Sequence, residues 1–320
     1  MATEVKHDEV ARFKTAKCES KTDDSSNVVK CTTTAAMVIV NGDAYVLRYK
    51  YYDDKEDEQD KQDKQDKQET VLSPAILYLV KNISGSETHS KLQIYKTVSK
   101  VHKYVFFKHL NSITYHDSKF YLVDLEEKIY RLSSKGRIER GYTVKNSSFH
   151  KDFQLSTIEH YKDNLYILGV LKNKDTHTRK YWIIEFDAKQ NNNLVIRGSF
   201  ICGECEQDGW VGNDICYDAG THLFHITMTY KNKEDNDVGR KNRIFTYDLS
   251  TLDPKADSAT IYQPTRMLHE NLDEETQEKF EYEGISIFNN RKYVAMEQKL
   301  ISKKAGYQDD AIVILSAVKN

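Results

Sequence analysis

The chain has 320 residues, 39% of them hydrophobic and 30% charged, with a formal net charge of -2. That balance excludes a global basic surface for nucleic acid or acidic membranes. Three prolines and 13 glycines exclude collagen-like and proline-rich readings, and no apolar run reaches signal-peptide or membrane-spanning length.

Near the N-terminus, the segment 8–16 is expected to add an outer strand to the last repeat. One pattern then recurs in chain order. An apolar anchor is followed eight or nine positions later by an aromatic flanked by aliphatics, with a short turn rich in Asn, Asp, Gly or Lys between. The anchors are Met37, Ile113, Ile158, Ile215 and Ile285. Asn-Gly, Asp-Asn or Asn-Asn at the turn supplies the positive φ of a tight hairpin. A third strand follows each hairpin, at 75–80, 128–132, 181–187, 243–249 and 311–315. Units of three or four strands that cannot bury both faces alone must stack and close into a ring. The sequence therefore predicts a single all-β domain over 1–320, a five-bladed β-propeller, with 8–16 completing the last blade and tying the two ends together. A pair of β-sandwiches is the competing arrangement. Between Asp53 and Glu69 the Asp-Lys-Gln triplet repeats without an apolar residue, which predicts a charged low-complexity loop inserted in the first blade.

Five cysteines leave at least one thiol outside any intrachain disulfide. Cys202 and Cys205 form a C-x-x-C, with no second pair for zinc and no following helix for a thioredoxin-type site. The eleven histidines show no metal-ligand spacing, and His222 and His225 flank a strand whose alternation points them differently. The run Arg240, Lys241 and Arg243 reads as solvated loop. Nucleophile elbows, phosphate-binding glycine loops and zincin motifs are absent.

Ligands of a propeller are expected where the inner strands converge, so the residues just before the anchors matter most. They are Ala35-Ala36, Asn111-Ser112, Ser156-Thr157, Asn213-Asp214 and Glu283-Gly284. This set is small and polar, with carboxylates at Asp214 and Glu283. Converging oxygens suit Ca²⁺, a sugar, or a water-filled channel. Trp210 and Tyr282 stand beside them as candidate platforms for a sugar ring, the alternative being packing between blades. The candidate ligand-binding residues are thus Trp210, Asn213, Asp214, Asn111, Ser112, Tyr282 and Glu283. Asp214 and Glu283 would hold a Ca²⁺ ion if one binds; no other cofactor and no catalytic residue is expected.

The stretch Tyr282-Glu283-Gly284-Ile285-Ser286-Ile287-Phe288, with Arg291–Ala295 and Asp310–Leu315 after it, resembles the closing region of helveticin J-type proteins. The resemblance covers the last forty residues or so and implies a bacteriocin-like, envelope-associated protein of lactic bacteria. The same Glu-Gly-Ile-x-Ile opening is similar to lactonase- and esterase-type propellers, and five blades are shared with calcium-dependent nucleotidases; these imply a Ca²⁺-dependent hydrolase. Three functions follow as expectations. The first is a non-enzymatic module for a carbohydrate or cell-envelope polymer. The second is the Ca²⁺-dependent hydrolase, and the third is a scaffold for a protein partner. Nucleic acid and membrane insertion are not expected. Low proline with abundant lysine and tyrosine suits a bacterial chain, cytoplasmic or exported without a signal peptide in this sequence.

Overall fold

The computed structural model describes residues 3–4, 7–14, 19–21, 28–30, 33–49, 75–83, 93–100, 103–104, 110–124, 128–144, 153–161, 164–172, 179–187, 193–201, 210–218, 223–230, 242–248, 267–271, 279–299 and 310–317. Every regular element among them is a β-strand. The charged segment 53–69 and the Cys202–Cys205 pair lie outside the described residues.

The strands form five antiparallel meanders. Sheet one is Thr33–Val40, Asp43–Tyr49, Ile76–Val80 and Gln93–Thr97. Sheet two is Leu110–His116, Lys119–Asp124, Lys128–Leu132 and Ile138–Thr143. Sheet three is Phe153–Tyr161, Asn164–Lys172, Arg179–Asp187 and Asn193–Ile201. Sheet four is Trp210–Asp218, Leu223–Tyr230, Asn242–Asp248 and Met267–Asn271, with Thr3–Glu4 added in parallel at its outer edge. Sheet five is Lys279–Phe288, Arg291–Lys299 and Asp310–Ala317, completed by His7–Lys14. Two short hairpins, Glu19–Lys21 with Val28–Lys30 and Ser99–Lys100 with Lys103–Tyr104, stand apart from these sheets.

The first strand of each sheet touches the first strand of the next, and that of sheet five returns to that of sheet one. This cyclic order makes the fold an all-β β-propeller. It also disposes of the sandwich alternative, in which two sheets would meet face to face without a ring. The apolar side chains are where the ring needs them, between sheets. Met37, Val46, Tyr78, Tyr293 and Ile314 fill the gap between sheets one and five. Leu47, Leu77, Ile113, Phe120 and Leu122 fill that between one and two. Tyr121, Tyr142, Ile158, Ile167 and Phe186 join two to three, and Tyr282, Ile285, Val294 and Ile244 join four to five. Tyr142 meets Phe186 edge-on at 4.9 Å between centroids, a geometry aromatic pairs favour.

Turn chemistry sets the hairpin registers. Asn41-Gly42, Asp117-Ser118 and Asn289-Asn290 all have positive φ at both central residues, the tight form whose twist matches flanking strands. Ser118 is the exception to the expected residue types, since serine is seldom found there.

The ring closes as the sequence predicts. His7–Lys14 lies antiparallel on Asp310–Ala317, from His7 opposite Ala317 to Lys14 opposite Ala311. A bulge between Glu9 and Ala11 sets Val10 against the core of sheets one and five, which includes the fully buried Ile314.

Candidate functional site: a ring of bulges on the propeller axis

All five inner strands lose register with their neighbours at the same place. The shifts fall between Thr34 and Ala36, Leu110 and Ser112, Leu155 and Thr157, Gly212 and Asp214, and Tyr282 and Gly284. The extra residues are therefore Ala35, Asn111, Ser156, Asn213 and Glu283. A bulge puts two residues opposite one and re-aims the side chain it carries. Leu110 and Ile113 accordingly both sit in the core between sheets one and two, while Asn111 and Ser112 between them turn to the axis.

The bulge residues share one level along the inner strands. Asn111 and Glu283 are half-buried there, and Ser156 is buried. Asn111 Nδ2 donates to the Ser156 carbonyl at 2.7 Å, which ties sheet two to sheet three. Asn213 occupies the same level by backbone position, and Trp210 opens that strand three residues earlier.

One residue further on, Ala36, Ser112, Thr157, Asp214 and Gly284 form the floor. Each is buried. Ser112 Oγ donates to Asp214 Oδ1 at 2.9 Å, a bond between sheets two and four, which are not neighbours in the ring. The Ile285 amide of sheet five donates to Asp214 Oδ2 at 3.1 Å. Both carboxyl oxygens are thus engaged by the protein. Burial pushes the Asp214 carboxyl well above the usual aspartate range; the Ile285 and Ile215 amides and Ser112 oppose that shift, and Glu159 adds to it. Small residues complete the floor where strands crowd. A Cβ on Gly284 would stand 2.5 Å from the Met37 nitrogen.

Below the floor the next axial set is Val38, Thr114, Glu159, Cys216 and Ser286, two residues on and so on the same side of their strands. Thr114 Oγ1 donates to Glu159 Oε1 at 2.9 Å, and the Ile39 amide donates to Ser286 Oγ at 3.0 Å. Burial first, then Glu159 and Asp214, raise the Cys216 thiol far up, so it stays protonated and unreactive. At the far end His160 Nδ1 lies 3.2 Å from Glu159 Oε1, which raises its pKa, and the His116 and His160 rings stand 5.6 Å apart.

The structure brings Asn111, Ser112, Asp214 and Glu283 together at two adjoining levels of one axis. Tyr282 is a correction. Its ring is fully buried in the core of sheets four and five, and its amide donates to Asn242 Oδ1 at 3.1 Å. The reason is the bulge at Glu283, which leaves Tyr282 and Ile285 on the core side together. Asp214 is likewise placed as a floor residue bonded within the protein. Among the described residues, no group of three or more His, Cys, Asp or Glu is placed to hold a metal ion. Thr114 and Glu159 escaped the sequence reading. Their signal was available: the residue after each anchor faces the axis, and in four of the five copies it is Thr, Glu, Cys or Ser.

His225 shows the same economy of charge. It is buried on the second strand of sheet four, with Nδ1 2.8 Å from Thr246 Oγ1. Burial, with Lys292 second, lowers its pKa to about 3, so the ring is neutral in the fold. An unfolded histidine binds a proton near pH 6.5. Between pH 6.5 and about 3 only the unfolded chain takes that proton, so stability falls as pH falls through this window. Each unit contributes about 1.4 kcal/mol at most. His225→Gln is expected to flatten the acid limb of a Tm-against-pH curve; an unchanged limb would assign it to other groups.

These features define a class: a β-propeller whose inner strands each carry a bulge at one common level. No protein-family model matches the sequence, and no curated protein matches it. Among solved structures the chain is similar to the sucrose-6-phosphate hydrolase of Lactobacillus gasseri, at 10% identity and a TM-score of 0.49, over 87% of this chain and 60% of that one. It is similar to the exo-β-1,3-galactanase of Phanerochaete chrysosporium, at 7% identity and a TM-score of 0.46, over 92% of this chain and 62% of that one. A third similarity is to the β-propeller domain of Myceliophthora thermophila Swd1, at 9% identity and a TM-score of 0.35, over 92% and 86%. The chain spans 60% of the length of the first of these structures and 58% of a second glycoside hydrolase. Identities this low leave ligand and chemistry to be argued from the chain's own residues. No helix among the described residues is long and apolar enough to cross a membrane.

Proposed function

We propose that the chain is a five-bladed propeller that binds a carbohydrate or cell-envelope polymer at the bulged end of its axis, without turning it over. The observation that carries this reading is the shared level of the five bulges. They put Asn111, Ser156 and Glu283, with Asn213 at the same backbone level, at one end of the inner strands, beside the Ser112–Asp214 bond. Amide, hydroxyl and carboxylate groups in a shallow ring suit a ligand rich in hydroxyl groups. Trp210, just ahead of Asn213 on the same strand, is the candidate stacking platform. The resemblance of Tyr282–Phe288 to helveticin J-type proteins favours an envelope polymer over a free sugar.

Hydrolysis of a glycosidic bond generally uses two carboxyl groups flanking it. Asp214 gives both oxygens to Ser112 and Ile285, which favours binding over turnover. The hydrolase reading, with Ca²⁺ on Asp214 and Glu283, makes a separate prediction. A hundredfold excess of Ca²⁺ over its Kd would then add about 2.7 kcal/mol of stability, lost in EDTA. The binding reading predicts coincident unfolding curves in Ca²⁺ and EDTA. It also predicts that Trp210→Ala weakens binding of solubilised cell-wall oligosaccharides at least tenfold in calorimetry while Tm stays within a few degrees. A scaffold for a protein partner would show no oligosaccharide binding in either form.

A further inference from the structure

At the hairpin end of the inner strands, roughly 15 Å along them from the bulges, sheets two and three bring two imidazoles side by side. His116 closes the first strand of sheet two, directly ahead of the Asp117-Ser118 turn. His160 is the next-to-last residue of the first strand of sheet three. The ring centroids lie 5.6 Å apart and the ring planes are inclined by 31°. His160 is exposed and His116 half-buried, so the pair is open to solvent.

The His160 ring is held from behind. Its Nδ1 lies 3.2 Å from Glu159 Oε1 and 3.4 Å from Thr114 Oγ1. The carboxylate is itself fixed, since Oε1 accepts Thr114 Oγ1 at 2.9 Å and the His160 amide at 2.8 Å. A proton on Nδ1, donated to Glu159, leaves the lone pair of the neutral ring on Nε2, on the side away from the carboxylate. Histidines that bind metals are commonly backed by a carboxylate in this way, which fixes the tautomer and makes the ring a stronger base. The hydrogen bond to Glu159 accordingly raises the His160 pKa, against the effect of burial.

We propose that His116 and His160 form a two-histidine site for a divalent first-row transition ion of the Zn²⁺ or Ni²⁺ kind, with water filling the remaining positions. Imidazole nitrogen suits these ions. Two imidazoles on one ion, each at about 2.0–2.1 Å, put their ring centres roughly 5 Å apart, so the observed spacing closes with a small side-chain rotation. Glu159 stands behind His160 and not beside it, which leaves two protein ligands; no set of three or more His, Cys, Asp or Glu forms among the described residues. The ion would join sheets two and three at their hairpin ends. The site lies at the opposite end of the strands from the bulges and is independent of what they bind.

The test is protection of individual histidines from diethyl pyrocarbonate, read by mass spectrometry on the full chain in mildly alkaline buffer with increasing Zn²⁺. His116 and His160 are expected to lose reactivity over one and the same Zn²⁺ range and to regain it in EDTA. In His116→Gln, protection of His160 should need at least about tenfold more Zn²⁺, because a second ligand on the same fold acts at high effective concentration. His160→Gln should do the same to His116. Equal protection of His160 with and without His116 overturns the proposal, since the two rings then bind separately. The wild-type chain tests it alone should a variant fail to fold: if either histidine keeps its reactivity in Zn²⁺, or the two are protected over different ranges, there is no shared site.

Discussion

Gly284→Ala will cost the fold about 3 kcal/mol or more, the upper end of what overpacking imposes. The new Cβ would lie 2.5 Å from the Met37 nitrogen and 2.9 Å from the Ala36 carbonyl carbon. Both are backbone atoms, so no side chain can swing aside. The strands of sheets five and one must separate at the point where the ring closes. Alanine normally gains up to about 1 kcal/mol over glycine by restricting the unfolded chain, and here the clash outweighs it. Chemical denaturation of the variant reads the effect directly. A midpoint within experimental error of the wild type would mean that the two inner strands are not in close backbone contact.

Removing residues 1–14 has the second large effect. His7–Lys14 covers the whole outer edge of Asp310–Ala317, and Val10 packs against the core that contains Ile314. Loss of that strand bares unpaired backbone groups along the edge and uncovers apolar side chains, each worth roughly 1.5–3 kcal/mol when fully buried. The expected result is a loss of roughly 3 kcal/mol together with self-association through the open edge, seen as a lowered Tm and a concentration-dependent sedimentation profile. A truncated chain as stable and monomeric as the parent would remove the N-terminal strand from any role in closure.

The fold was legible because it repeats. The anchors Met37, Ile113, Ile158, Ile215 and Ile285 are all buried, and the strands run close to where alternation and turn residues place them. The closing strand could be expected at 8–16 because the last repeat ended after three strands and lacked a fourth. The site was only half legible. Residue type and spacing led to Asn111, Ser112, Asp214 and Glu283, but strict alternation cannot anticipate a bulge. Without it, Tyr282 looks like a neighbour of the ligand; with it, Tyr282 is core and Glu283 takes the half-buried bulge position. The engagement of Asp214 by Ser112 likewise spans sheets that are 102 residues apart in the chain, a pairing no local pattern encodes. Glu159 and Thr114 were overlooked because attention stopped at the residues before the anchors, although the residues after them face the same axis.

The central claim is that the bulged opening binds a hydroxyl-rich polymer. Isothermal titration of solubilised cell-wall oligosaccharides tests it most directly, with the wild-type chain beside Asn111→Ala and Glu283→Gln. Saturable binding by the wild-type chain, weakened at least tenfold in both variants while both remain folded, is the predicted result. Binding that is equal in all three proteins, or absent from the wild-type chain, would contradict it.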